Sequence, residues 1–219
     1  MKNKSAVFII LIIVLILFVA IYGYILYEFN VIPHKKYTNS DFNIETYIST
    51  IDKDNDGIDD QTDILSNVRK YISNRPKYKS KYYSGGYSDD EYGVCSDVVA
   101  NGLLGAGYDL MELVNIHIQN NRDMYDIEKI DKNIDFRRVR NLRVYFEDTA
   151  IRLTNDVSDI EEWQGGDIVI FEKHIGVISD KRNRNGIPFL IHHANPYQIY
   201  YEEDILENRE DIVGHYRIS

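Results

Sequence analysis

The sequence predicts an α+β domain, with helices first and an antiparallel sheet after them, preceded by one transmembrane helix. Three observations carry this. Ala6 to Leu26 is an almost unbroken run of apolar residues. From Ile44 to Phe146, apolar residues recur mainly at helical spacing. From Trp163 the pattern changes to short apolar runs separated by turns rich in Asn, Arg and Gly, which read as strands of a meander.

The first run is long enough to cross a bilayer as a helix, which takes about 20 apolar residues. Tyr22, Tyr24 and Tyr27 stand at its far end, where an interfacial aromatic belt belongs. A cleaved signal peptide would have a shorter apolar region, about 7–15 residues, followed by a small-x-small cleavage site. No such site stands near Gly23, so residues 1–29 are expected to be an uncleaved, single-pass anchor in the cell membrane. Lys2 and Lys4 favour a cytoplasmic N-terminus and an extracytoplasmic domain, against the pull of Lys35 and Lys36 on the other flank. Residues 30–40 read as a linker, and 41–219 as one domain large enough for a real core.

Composition narrows the partners. Aromatics at 12% and charged residues at 27% are a globular balance, which excludes a disordered chain. A net charge of -10 argues against nucleic acid, whose phosphates need a basic face. A single cysteine excludes an internal disulfide and leaves a free thiol.

Within the domain, Ile44, Tyr47, Ile48 and Ile51 have helical spacing, and a second helical run covers Ile64 to Ile72. Between them lies an Asp-rich loop. Asp52, Asp54 and Asp56 alternate, and Gly57 supplies the sharp turn. Ile58 offers a backbone carbonyl, Asp60 a direct or water-bridged contact, and Asp63 the closing carboxylate. These are the ligand positions of a calcium loop between two helices, with the short Asp63 where a Glu is usual. The opposing reading is a solvated turn whose Asp residues cap the next helix. Such an ion would brace the fold as a structural calcium; catalysis itself calls for no cofactor.

Residues 77–92 hold Tyr78, Tyr82, Tyr83, Tyr87 and Tyr92 with Gly85 and Gly86. Of these, Tyr82, Tyr87 and Tyr92 are candidates to line a substrate cleft with flat faces and hydroxyl donors, or else to pack on the domain surface. Cys95 follows at once. Val98, Val99, Leu103 and Ala106 make it the start of a helix, which Gly105 and Gly107 end. In a first turn, the free N–H groups and the macrodipole favour a thiolate. Leu110, Leu113, Val114 and His117 suggest another helix, with His117 a plain surface or packing residue. Leu142, Tyr145 and Phe146 mark a shorter one. The strands are Ile168–Phe171, His174–Ser179 and Phe189–His193, with a close at Gly214–Ile218. Gly176, inward by alternation, would leave room for the helix end.

A cysteine at a helix start, a histidine at a later strand start and a polar group on the next strand make a thiol-hydrolase constellation. Here these are Cys95, His174 and one of His192, His193 or Asn195, the last orienting the imidazole.

The run Tyr82-Tyr83-Ser84-Gly85-Gly86-Tyr87 and the run Tyr92-Gly93-Val94-Cys95-Ser96-Asp97-Val98-Val99 resemble the domain of unknown function 1287 (DUF1287). So do Asn133–Val139 with Asn141-Leu142, Trp163 with Gly166-Asp167-Ile168-Val169, His174–Asp180, Ile191-His192 and Gly214-His215-Tyr216-Arg217. The resemblance spans the chain after the linker. It implies a papain-like fold of the NlpC/p60 type, Cys95 as nucleophile, His174 as base and His192 as the third member. It also implies a substrate: amide bonds of bacterial cell-wall peptides or other peptides. Asp135, Arg137 and Arg138 would brace the Tyr-rich loop by ion pairs or bind substrate carboxylates, with bracing preferred. The expected function is a membrane-anchored extracytoplasmic thiol hydrolase. Its rivals are a non-catalytic wall- or protein-binding module of the same fold, braced by calcium, and an acyltransferase using the same triad.

Overall fold

The computed structural model describes residues 2–219, with side chains from residue 5 onward. The side chains of Lys2 and Lys4, on which the expected orientation rests, lie outside the described residues. The chain separates into two compact units, Met1–Lys35 and Lys36–Ser219.

The first unit is the helix α1 (Lys2–Glu28) and a short tail. Its 24 residues from Ser5 to Glu28 are long and apolar enough to cross a membrane. At 1.5 Å per residue they reach about 36 Å, against about 30 Å of hydrocarbon. Phe8, Leu11, Leu15 and Phe18 are exposed and the apolar window is nowhere buried, so water is a poor solvent for every face of it.

The second unit is α+β. A 3₁₀ turn (Asn39–Phe42) opens it. The helix expected over Ile44–Ile51 does not form. Asn43 sits in the left-handed region at φ 56° and ends the turn. The next residues then bond elsewhere: the Tyr47 N–H to Gln164, the Tyr47 hydroxyl and Ser49 to the C-terminal Ser219. Tertiary partners satisfied this backbone better than a marginal helix of two turns would. The Asp-rich loop therefore has a helix only on its exit side, α2 (Asp60–Ser73), capped by Asp59 accepting from the Thr62 N–H.

Strands β1 (Lys77–Tyr78) and β2 (Tyr92–Gly93) pair in parallel and tie the two ends of the Tyr-rich loop together. Helices α3 (Cys95–Gly105), α4 (Leu110–Asn120), α5 (Lys132–Asp135) and α6 (Val139–Thr149) follow. Then come β3 (Ile151–Arg152), β4 (Ile168–Phe171), β5 (Ile175–Arg182), β6 (Pro188–Ile191), β7 (Glu202–Glu203) and β8 (Ile212–Arg217). These six make one antiparallel sheet in the order β3-β8-β4-β5-β6-β7.

Strand alternation divides the core into two layers. Ile168, Ile170, Ile175, Val177 and Tyr216 face the helices, among Val98, Val99, Leu103, Val114 and Phe146. Val169, Phe171, Ile178 and Leu190 face the other way and are covered by Trp163, Ile187 and Leu206. α2 and α3 approach so closely that a Cβ on Gly102 would lie 2.3 Å from Val68 Cγ2.

Asp167, fully buried, is the hub between the layers. Arg217 donates to it twice (2.8 and 2.8 Å), Gln61 Nε2 once (2.7 Å) and the Gln164 N–H once (2.9 Å). His215 Nε2 lies 3.1 Å from it, and Trp163 stacks on the His215 ring at 3.7 Å. The polar residues of the Gly166-Asp167 and Gly214–Arg217 motifs thus hold the sheet together. His117 is a packing residue, between Tyr125 (2.6 Å) and Asp148 (2.8 Å).

Candidate active site

Cys95 is the first residue of α3. The N-cap position is Val94, which has no side chain to cap the helix; the Asp97 N–H bonds the Val94 carbonyl (3.0 Å), and the N–H groups of Cys95 and Ser96 are left to the site. Asp97, two residues into α3, reaches back to the Val94 N–H (2.8 Å) and fixes where the helix starts. Asp97 is in turn gripped by Arg137, Nε to Oδ1 and Nη2 to Oδ2, both 2.7 Å, in a fully buried pair. Arg137 also donates to the Lys81 carbonyl and lies over the Tyr83 ring. The basic residue thus braces the Tyr-rich loop against the cysteine helix.

The Cys95 sulfur faces the backbone N–H groups of Ile175, Ser96 and Cys95 itself. Ile175 opens β5 and follows His174. The thiol is nevertheless pushed above its ordinary value, because burial outweighs those donors and Asp97 adds a like charge. The helix terminus alone favours the thiolate; burial acts against it here and favours the thiol.

His174 Nε2 lies 2.8 Å from His192 Nδ1, and His192 Nε2 lies 2.8 Å from Glu203 Oε2. A carboxylate can only accept, so His192 donates from Nε2 and its Nδ1 is the acceptor. His174 then donates from Nε2, and its Nδ1 carries the free lone pair. The chain of bonds selects one tautomer at each ring. Gln198 closes the arrangement, with Nε2 3.2 Å from both Glu203 Oε2 and the His192 carbonyl. Burial, the neighbouring His192 and Arg209 pull His174 down to about 3, so it is a neutral imidazole.

Of the three candidates beside His174, only His192 bonds to it among the described residues. His193, one residue on, turns away across the strand. Its ring meets Tyr78 (5.1 Å) and Tyr201 (5.0 Å) edge-on, and its Nδ1 has no hydrogen-bond partner although the residue is buried. Asn195 instead accepts from the Tyr197 N–H within a turn.

The cleft tyrosines are distributed differently from the expectation. The Tyr82 hydroxyl bonds to Asp131 and Asn133. Tyr87 packs on Phe136 and donates to Asp109 (2.9 Å). Tyr92 lies beneath the ammonium groups of Lys79 and Lys81. The tyrosine whose titration feels Cys95 is Tyr78. Sequence reading places Tyr78 in the cluster without selecting it, and misses Glu203. Alternation in Glu202-Glu203 was the available signal: Glu202 faces Arg69 and Ser179, and Glu203 faces His192. Gly176 makes room, but not for the helix. A Cβ there would lie 2.8 Å from Leu190 Cδ1, 2.9 Å from the Ile191 carbonyl and 3.2 Å from His192 Cβ, so it admits the strand that carries His192.

The family model described as Domain of unknown function (DUF1287) matches residues 65–218. The chain belongs to the DUF1287 family. It is 39% identical over 153 residues to Uncharacterized protein YijF of Escherichia coli (strain K12), an alignment covering 65% of this chain and 72% of that protein. No solved structure matches the chain. The DUF1287 match includes Cys95, His174, His192 and Glu203 and begins after the Asp-rich loop.

Proposed function

We propose that this DUF1287 protein is a thiol hydrolase of the NlpC/p60, papain-like kind, anchored in the cell membrane and acting outside it on amide bonds of cell-wall peptides. The observations that carry the reading are the bonded series His174–His192–Glu203 and the Cys95 sulfur facing the N–H of Ile175, the residue after His174. A protein that only binds needs no such ordering of tautomers.

The steps follow from the neutral resting pair. Cys95 Sγ attacks the amide carbon while its proton passes to His174 Nδ1. The C–S bond forms and the carbonyl π pair moves to oxygen. The N–H groups of Cys95 and Ser96 face that oxyanion. Collapse breaks the C–N bond, and the nitrogen leaves as an amine with the proton from His174. Water, deprotonated by His174, then releases the acyl group and restores the thiol. His192 holds His174 in register, and Glu203 is a positioning residue that stabilises charge as the imidazolium forms.

The test is incubation of the full-length protein in detergent with purified wall muropeptides, with products read by mass spectrometry. Wild type should release peptide fragments, and Cys95→Ala should release none. Glu203→Gln should lower kcat by about 10- to 10⁴-fold with KM little changed, as loss of the acidic member does in related triads. If wild type leaves the muropeptides intact, the binding-module reading replaces this one. Transfer of the acyl group to an added amine in preference to water would make it an acyltransferase.

A further inference from the structure

The loop ahead of the matched family segment has chemistry that the proposed reaction does not use. Asp52, Asp54 and Asp56 bring carboxylate oxygens within 4.8 Å of one another. Among the described residues, none of the three is paired with a lysine or arginine. A second observation comes from α2. Asp63 is only 6% exposed, and its Oδ1 accepts from Asn67 Nδ2 (2.7 Å). Its Oδ2 is buried with no hydrogen-bond partner. Asp63 closes the twelve-residue loop that Asp52 opens, and its partner Asn67 packs on Gly105, two residues before Gly107, where a Cβ would lie 3.0 Å from Asp54 Cβ, so the buried oxygen and the cluster meet the same end of α3. A buried carboxylate oxygen with no donor, in one loop with three more carboxylates, is costly unless a cation is shared among them.

We propose that this loop binds one calcium ion through Asp52, Asp54, Asp56 and Asp63, with the Ile58 carbonyl completing the oxygen set. Four carboxylates and a carbonyl are hard ligands at the first, third, fifth, seventh and twelfth positions of a twelve-residue loop, which suits calcium better than the smaller magnesium. Asp60, a sequence candidate, is not a ligand: one oxygen accepts from the Lys53 N–H (2.8 Å) and the other from the Tyr108 hydroxyl. The ion's effect passes into α2. Asp63 holds Asn67 through both its side chain and its carbonyl, and Asn67 packs on Gly105, where a Cβ would lie 2.2 Å away. Gly105 ends the helix that Cys95 begins. The site is independent of whether the thiol is catalytic.

Isothermal titration of the full-length protein in detergent with calcium chloride tests this. One ion should bind per chain with a Kd of about 10⁻⁴ M or tighter, and magnesium chloride should bind at least about tenfold more weakly. Asp63→Asn and the pair Asp54→Ala with Asp56→Ala should each weaken calcium at least about tenfold, and Asp60→Asn should leave it within about threefold. Absence of calcium binding to the wild-type chain overturns the site, whatever the variants do. Loss in Asp60→Asn equal to that in Asp63→Asn overturns the ligand set.

Discussion

At the scale of single residues, two opposing influences meet at Cys95. A helix N-terminus lowers a thiol, and burial raises it. Burial wins here, while His174 is driven the other way, to about 3. Both shifts favour a neutral thiol and a neutral imidazole, and in the proposed reaction the proton moves as a carbonyl arrives. The consequence is measurable without a substrate. The rate of Cys95 alkylation by iodoacetamide should rise with an inflection above the ordinary thiol value of about 8.5, and His174→Ala should shift it little. An inflection well below that value, abolished by His174→Ala, would establish a resting ion pair instead. Cys95 and His174 could be singled out from residue type and order, because candidate nucleophiles and bases are few and each leaves a local pattern; His192 stands apart from His193 and Asn195 only through the family resemblance. Glu203 is harder: alternation puts one of Glu202 and Glu203 on the face of His192, but which of them depends on the register of a two-residue strand.

At the scale of elements, β4 and β6 were legible because each is a short, fully apolar run bounded by turn residues. The expected helix over Ile44–Ile51 failed for a reason absent from local sequence: Gln164 and Ser219, more than a hundred residues away, take its backbone and side-chain groups. Gly176 shows the same limit. Its smallness was visible, but the neighbour it serves was not. Because the Ile191 carbonyl is backbone and cannot swing aside, Gly176→Ala should push β6 from β5 and shift His192 relative to His174. The expected cost is about 1–3 kcal/mol in urea unfolding, with a fall in kcat at unchanged KM. A variant as stable and active as wild type would mean that β6 carries no such constraint.

At the scale of the whole molecule, the balance between buried bases and buried acids sets the response to pH. His174, at about 3, and His193, at about 4, both lie below the ordinary histidine value, chiefly through burial. Between those values and about 6.5 the unfolded chain binds protons that the folded chain refuses. Stability therefore rises with pH across that window, and acidification removes it as the histidines of the unfolded state take up protons. Asp167 acts with the same sign lower down. Its carboxyl is held below the usual range: burial would raise it, but His215 and Arg217 together outweigh burial, so its contribution is lost only as pH falls through its folded value. Histidine and aspartate thus act in sequence, the histidines first. Urea unfolding at pH 7.5, 6, 5 and 4 should give a free energy that is flat at the top of this range and falls steadily below about 6.5. His193→Gln, which keeps a neutral polar side chain without a titrating ring, should make that fall shallower while leaving the pH 7.5 value little changed. A free energy unchanged down to pH 4 in wild type would mean that neither imidazole is buried in its neutral form, and the neutral resting state of the Cys95–His174 pair would fall with it.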